Sequence, residues 1–352
     1  MTKNENKNWI FWATLLILFT LFIYTLRSVL LPFVVGIIIG YLLDPLATRL
    51  EKLKINRTIA TCLVLLLVTI ILVPAIIALA GMIDEQLALF INAVPRYMES
   101  LSQKIEPVIS NLQDNFPNLN REKIREYLQG NMSNGLKLIG TLLRKVISGS
   151  YAIFNIISLI LITPIVTFYM LRDWNNFIKK VNSLLPKNYK QEISTQAKEI
   201  DKIISSFIRG QLSVCILLGT FYGVGLSFIG LDLGMLIGFI AGIISFIPYV
   251  GSIVGFITAI TIAFAQFGDW ITITQVIGVF AIGQFLEGNF LTPKLVGDSI
   301  GLHPVWVMFA LLAGGSLLGF LGLMIAVPLA AVIGVLTRFA ISKYKQSSLY
   351  KG

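Results

Sequence analysis

Residues 233–268 contain no charged side chain, and this 36-residue stretch is interrupted near its middle by FIPYVGSIVG, residues 246–255. A single membrane span ends after about 20 residues. A buried helix of a soluble domain excludes an interior proline such as Pro248. Broken at residues 248–252, the stretch divides into two arms of about 16 residues, each short for a full span. It forms either a re-entrant hairpin or two short, tilted, tightly packed spans. Either way Asp232 and Asp269 emerge on one face. Irregular backbone at membrane depth persists only where protein buries it or water lines it.

The remainder of the chain has the same character. Of 352 residues, 56% are hydrophobic and 13% charged, where a soluble domain carries about 25% charged residues. Apolar runs of spanning length occur near 9–26, 28–46, 58–82, 150–171, 210–230 and 271–286, beside the long runs 233–268 and 304–337. Backbone in lipid must satisfy its own hydrogen bonds, so these runs are helices. The expected fold is an all-α polytopic membrane protein of about eight spans, with broken or re-entrant helical hairpins and amphipathic helices outside the membrane. The run at 9–26 is too long for a signal peptide's apolar region and lacks a small-x-small cleavage site, so it reads as a retained span.

This divides the chain into three N-terminal spans (1–82), an extramembrane amphipathic helical segment (83–149), a fourth span (150–171) and a cytoplasmic helical segment (172–209). A C-terminal membrane core (210–340) holds the interrupted hairpins 233–268 and 304–337, and a cytoplasmic tail (341–352) follows. Met98, Leu101, Ile105, Val108, Ile109 and Leu112 recur at helical intervals, and Leu136, Leu138 and Ile139 lead into the fourth span similarly. A further helix is expected from about Asn120. Ile200, Ile203, Ile204 and Phe207 form a second stripe, expected to pack on the membrane domain or a neighbouring subunit. Basic residues set the orientation. Arg49, Lys52, Lys54 and Arg57, the eight basic residues of 172–209, and Arg338, Lys343, Lys345 and Lys351 share one side if both termini are cytoplasmic. Basic loops at a membrane surface also account for the net charge of +10 without a nucleic-acid partner.

Glycine spacing suggests close helix packing. Gly234, Gly238 and Gly242 make two small-xxx-small steps, and Gly315 with Gly319 makes another. The second long run breaks at about residues 314–316. Gly242 to Pro248 and Gly322 to Pro328 are both six residues apart, which admits an internal repeat. Asp44 and Pro45 read as the helix-terminating turn of the second span, and Thr163 with Pro164 as a kink.

The candidate chemistry lies in two places. At the first break, Pro248, Tyr249, Gly251 and Ser252 could expose backbone groups and a hydroxyl to a solute, as broken helices of secondary transporters do. They could equally mark a kink. The second place is AIGQFLEGNFLTPKLVGDSIGLHP, residues 281–304. Gln284 and Glu287 share a helix face, and Asn289, Lys294 and Asp298 follow. A carboxylate at the edge of a span is a candidate for proton or cation coupling. The alternative is that Glu287 ends its helix at the interface and pairs with Lys294. His303 reads as interfacial.

RGQ at 209–211, IPYVGS at 247–252, EGNFLTPKLVG at 287–297, GLHPVW at 301–306 and GGSLLGFLGLMIAVPLAA at 314–331 resemble the autoinducer-2 exporter family of bacterial permeases, the PerM-type transporters. The resemblance covers nearly the whole chain. It implies about eight spans, cytoplasmic termini in the bacterial inner membrane, and a homo-oligomer, with a pentamer the expected form. It also implies export of a furanone-type quorum signal or sodium–proton antiport.

Other classes fit poorly. The phosphate-cradling G-x-x-x-x-G-K-[ST] of a nucleotide-driven pump is missing from the sequence. One histidine and two cysteines (Cys62, Cys215) in apolar runs supply neither a metal centre nor a catalytic constellation. No cofactor is expected. The reading is a secondary transporter, not an enzyme, exporting a small polar solute with ion coupling between the two interrupted hairpins; sodium–proton antiport, with a monovalent cation as the substrate, is the alternative. A channel-like oligomer lined by Gln284, Glu287 and Asn289 is the further alternative.

Overall fold

The computed structural model describes residues 3–115, 150–296, 301–347 and 350, with side chains given for only part of 3–28 and 79–100 and for none of 101–115 and 150–158. The helix expected near Asn120, the residues Leu136, Leu138 and Ile139, and Asp298 lie outside the described residues. Every element is helical: α1 (Lys3–Lys52), α2 (Arg57–Asn115), α3 (Ser150–Leu184), α4 (Lys190–Phe228), α5 (Gly234–Ile244), α6 (Val250–Gln266), α7 (Trp270–Leu286), a π-helical segment (Glu287–Val296), α8 (Pro304–Leu318) and α9 (Phe320–Gln346). Among the described residues, five stretches are long and apolar enough to cross a membrane: Val29–Lys52, Arg57–Ala78, Lys190–Phe228, Trp270–Val296 and Phe320–Gln346. Helices α5, α6 and α8 are apolar but shorter. The chain is a polytopic helical membrane protein.

The helices run further than the apolar runs suggest. Those at 9–26 and 28–46 lie on the single 50-residue helix α1, ~75 Å long against a hydrocarbon core of ~30 Å. Only Arg27 separates them, and one charge without a turn residue does not end a helix. The two runs expected as separate spans therefore lie on one continuous helix with no turn between them. Nor does α1 stop at Asp44 and Pro45; it continues to Lys52. Proline removes one helical hydrogen bond, and Arg57 braces the turns on both sides of that gap. Its guanidinium donates to Asp44 Oδ1 (2.6 Å), Thr48 Oγ1 (3.1 Å), Glu51 Oε2 (3.1 Å) and the Leu171 carbonyl (2.8 Å). The residues Met98 to Leu112 belong to the far end of α2, where side chains are not described.

The chain forms two compact units. The first comprises Met1–Leu66, Ile157–Arg209 and Asp298–Gly352. Here α1 and α3 meet closely: a Cβ on Gly36 would stand 2.8 Å from Val166 and one on Gly40 3.2 Å from Met170. Thr163 and Thr167 donate across this contact to the Pro32 and Gly36 carbonyls, at 3.3 and 3.1 Å. Interhelical bonds of this kind hold spans together where lipid removes the hydrophobic drive. Ile203 of α4 packs with Ala331 and Val335 of α9, with Ile200 beside them. Arg338 pairs with Glu199 at 3.8 Å, and Lys343 pairs with Glu192.

The second hairpin, α8–α9, also lies in this unit, and it turns at Gly319, three residues beyond the expected break. Gly319 has φ 63° and ψ −137°, a conformation open to glycine because it lacks a Cβ. It is a turn residue, since a Cβ there would meet nothing within 4 Å. The close approach falls instead between Gly314 and Gly322, whose backbones touch, and Gly315 lies against Leu323. The equal Gly-to-Pro spacings do not describe a repeat. Gly242 lies inside α5 and Pro248 in the turn that follows it, whereas Gly322 and Pro328 both sit inside α9.

The second unit comprises Leu67–Ile156 and Gly210–Gly297. It contains the first hairpin, α5–α6, the distal part of α4, α7 and the π-helical segment. Both arms of the hairpin start from left-handed residues, Leu233 (φ 62°) and Tyr249 (φ 67°). Asp269 caps α7, accepting from Thr272 N at 2.8 Å.

Candidate functional site

The first hairpin is held against α4 by glycines. A four-residue repeat brings Gly234, Gly238 and Gly242 into one line along α5. Opposite them on α4 stand the backbones of Leu226, Gly223 and Gly219, so close that a Cβ on any of the three would overlap main chain. Side chains are excluded, and two backbones pack face to face.

At the tip, Pro248 creates a problem that Gln211 solves. The C-cap of α5 is Ser245. In a continuing helix its carbonyl would accept from the Tyr249 N–H four residues on, but the chain leaves the helix here: Pro248 has no N–H to extend the turn and Tyr249 is left-handed (φ 67°). Gln211 Nε2 donates to this carbonyl at 2.6 Å, with Gln211 and Ser245 only 4% and 1% exposed. Ser245 Oγ bonds back to Ala241 O at 2.8 Å, and Ser252 Oγ to Tyr249 O at 3.1 Å. Gly251 lies against Ala241 O and the Ser245 backbone, leaving no room for a side chain. Tyr249 is exposed, while Gly251 and Ser252 are buried. The serine hydroxyls of the break are thus engaged within the hairpin, and the Ser245 carbonyl is closed by a side chain from α4.

The second polar centre sits where α7 widens into the π-helical segment. Wide turns of this type are rare and concentrate at functional sites. Glu287 opens the segment and is 8% exposed. Gln284 Nε2 donates to Glu287 Oε2 at 2.7 Å and lies 3.4 Å from the Tyr222 hydroxyl. Tyr222, fully buried on α4, stacks on Phe280 with ring centroids 4.6 Å apart. Gly283 makes space for it, since a Cβ there would stand 2.6 Å from the Tyr222 oxygen. Gly210 does the same where α4 presses on the Leu295 backbone.

Of the residues singled out from sequence in this stretch, only Gln284 and Glu287 come together. Asn289 is exposed and its amide donates to Phe285 O at 3.0 Å. Lys294 is exposed and forms no ion pair with Glu287. Among the described residues no basic group stands within 4 Å of the Glu287 carboxylate. A charged carboxylate taken from water without a counter-ion is costly, and one donated amide hydrogen bond offsets part of that. His303 caps α8, its Nδ1 accepting from Val305 N at 3.3 Å.

Sequence reasoning passed over Tyr222 and Ser245 and took Gln211 only as part of the RGQ motif at 209–211. Their signal was available: each is a polar side chain inside a glycine-rich apolar run, where hydrogen-bonding groups need partners.

A family model described as AI-2E family transporter matches residues 13–341. The chain is 30% identical over 311 residues to a Bacillus subtilis (strain 168) protein named as a transport protein, YrrI, covering 88% of this chain and 86% of the relative. It is 28% identical over 314 residues to an Escherichia coli (strain K12) protein named as a permease, PerM, covering 88% and 87%. A Bacillus subtilis protein named as a transport protein, YueF, matches at 27% over 314 residues, covering 89% and 84%. With apolar helices of spanning length and a family match across nearly its whole length, this chain belongs to the AI-2E family of transporters.

Proposed function

We propose that the protein is a secondary transporter of the bacterial inner membrane, exporting a small polar solute such as an autoinducer-2-like signal, with Glu287 as the ion-coupling group. The observation that carries the reading is the buried Glu287 carboxylate, bonded to one amide and without a basic partner among the described residues. Such a group alternates between a protonated form and one paired with a cation or a donor on the solute. The π-helical segment supports it, since Glu287 sits on its first turn. Gln284 fixes the carboxylate, and Tyr222 fixes Gln284.

The absence of a cationic neighbour among the described residues also favours a second reading, sodium–proton antiport, in which the cation itself is the substrate. Proteoliposomes with a trapped pH-sensitive dye separate the two. Discharge of an imposed pH gradient by sodium alone supports antiport; discharge by the organic solute alone supports coupled export. Glu287→Gln keeps shape and hydrogen bonding but removes the charge, so it should abolish discharge in either case. Normal, pH-dependent transport by that variant refutes the role given to Glu287.

Assembly as a homo-oligomer, in the pentameric form implied by the resemblance, belongs to the same proposal. Ile70, Ile71 and Ile77 of α2 offer exposed apolar surface for lateral contact. Native mass spectrometry from micelles tests it, and a purely monomeric spectrum at all protein concentrations refutes it.

A further inference from the structure

A cavity of about 540 Å³ opens within the second unit, between α2, α4 and α5. Its size falls in the range of small-molecule sites, and a mostly apolar wall with few polar groups is the usual composition of such sites. The wall includes Ile76 and Gln86 of α2, Thr220 of α4, and Met235, Phe239 and Ile243 of α5. Among the described residues, no charged side chain lines it.

Only two lining side chains are polar, and they differ. The Thr220 hydroxyl is occupied, bonding back to Ile216 O at 2.8 Å. Gln86 Oε1 is covered and has no hydrogen-bond partner among the described residues. A buried acceptor left unmade is unfavourable. The last torsion of glutamine is soft, so the amide can turn its oxygen or its N–H group toward a molecule in the cavity.

The position of Gln86 gives the site a direction. The apolar run of α2 gives way to Asp84 and Glu85, and Gln86 lies just beyond them, ten residues past Ile76 and ~15 Å along the helix axis. One end of the cavity is therefore bounded by hydrocarbon-depth side chains, and the other by a single uncharged amide past the end of the apolar run. We propose that this cavity binds an amphiphile, a single apolar chain carrying one uncharged hydrogen-bonding group, with the chain along Ile76, Phe239 and Ile243 and the polar group on the Gln86 amide. Two sources share that chemistry. One is the acyl chain of a bilayer lipid with its ester at Gln86, and the other is a free monoacyl amphiphile entering from water. The proposal is independent of the role of Glu287, because its test reads binding and needs no transport.

The full-length protein is reconstituted into phosphatidylethanolamine vesicles containing a small fraction of the same lipid with a diazirine on its acyl chain. After illumination, cross-linked peptides are mapped by mass spectrometry, with and without decanamide. Labelling of 76–86, 219–224 and 235–243 should exceed that of the exposed α9 residues Leu329 and Ile333 by roughly fivefold, the scale of one hydrogen bond. Gln86→Leu, which keeps the apolar bulk, and Ile243→Trp, which fills the cavity from its rim, should each remove that preference while α9 labelling stays constant. Loss of the preference on adding decanamide identifies a dissolved amphiphile; its persistence identifies a bilayer lipid. Labelling that follows surface exposure alone, unchanged by either variant, overturns the proposal. Should Ile243→Trp disturb α9 labelling as well, the protein has been perturbed generally and Gln86→Leu decides.

Discussion

The tie between Gln211 and Ser245 makes a quantitative test of how the first hairpin is held. Gln211→Met preserves length and volume but removes the one donor to the Ser245 carbonyl found among the described residues. The carbonyl cannot turn to solvent, because its residue is 1% exposed. The helix does not continue past it to supply a donor, because Pro248 has no N–H and Tyr249 is left-handed (φ 67°). The cost is therefore that of a buried acceptor left unmade, about 1–3 kcal/mol. It falls on the local opening of the hairpin tip, where it accelerates amide exchange roughly 5- to 150-fold. Hydrogen–deuterium exchange of the reconstituted protein, read on peptides covering 241–255, measures it, with a peptide from α9 as the internal control. Ser245→Ala provides the contrast. It removes a hydroxyl that bonds back to its own helix and leaves the carbonyl paired, so exchange should change about threefold or less. Equal exchange in wild type and Gln211→Met, with the control unaffected, would show that another group caps the carbonyl and that the reading of Pro248 is wrong.

Gly238→Ala should destabilise the protein by about 1–3 kcal/mol, because the added Cβ meets the Gly223 backbone and separates two helices. Gly278→Ala, where nothing lies within 4 Å, should stabilise α7 by about 0.5–1 kcal/mol; thermal unfolding in micelles should move in opposite directions for the two. Arg57→Ala should cost about 1.5–3 kcal/mol by the same measurement, and Arg57→Lys should recover only part of it, since an ammonium cannot reach four acceptors as a planar fork does. Full recovery with lysine would show that charge alone matters there. Gly319→Ala should impair the α8–α9 turn through backbone strain alone, in contrast to Gly315→Ala, whose Cβ has to displace only the end of the Leu323 side chain; equal effects of the two on thermal unfolding would contradict the assignment of the turn.

The interrupted run shows how far sequence could be read. Pro248 in an uncharged stretch of twice spanning length requires a hairpin, and the hairpin is there, α5 turning into α6. The small-xxx-small lines at Gly234, Gly238 and Gly242 follow from helical periodicity, but what lay opposite them did not. Gly219 and Gly223 are four apart as well, and nothing in spacing says that this pair rather than another faces α5. Helix ends were misjudged for a related reason. A charge such as Arg27, or a proline such as Pro45, weakens a helix locally, and whether the helix ends depends on what braces it. At Pro45 that is Arg57, which approaches from the next helix.

The sequence by itself determined that this protein is a bundle of apolar helices, that one run folds back on itself, and that a carboxylate stands at the edge of a span. Each is a property of a single stretch of chain, set by hydropathy, periodicity and the covalent limits of proline. The tertiary structure alone decided which polar groups meet. Gln284 and Glu287 share a helix turn and could be paired from spacing. Tyr222 reaches Gln284 across 62 positions, and Gln211 reaches Ser245 across 34. Asn289, two residues from Glu287 in the chain, is exposed and bonds to the Phe285 carbonyl instead. In a low-dielectric interior a polar side chain goes where its hydrogen bond is made, and the packing of helices, rather than proximity in sequence, sets where that is.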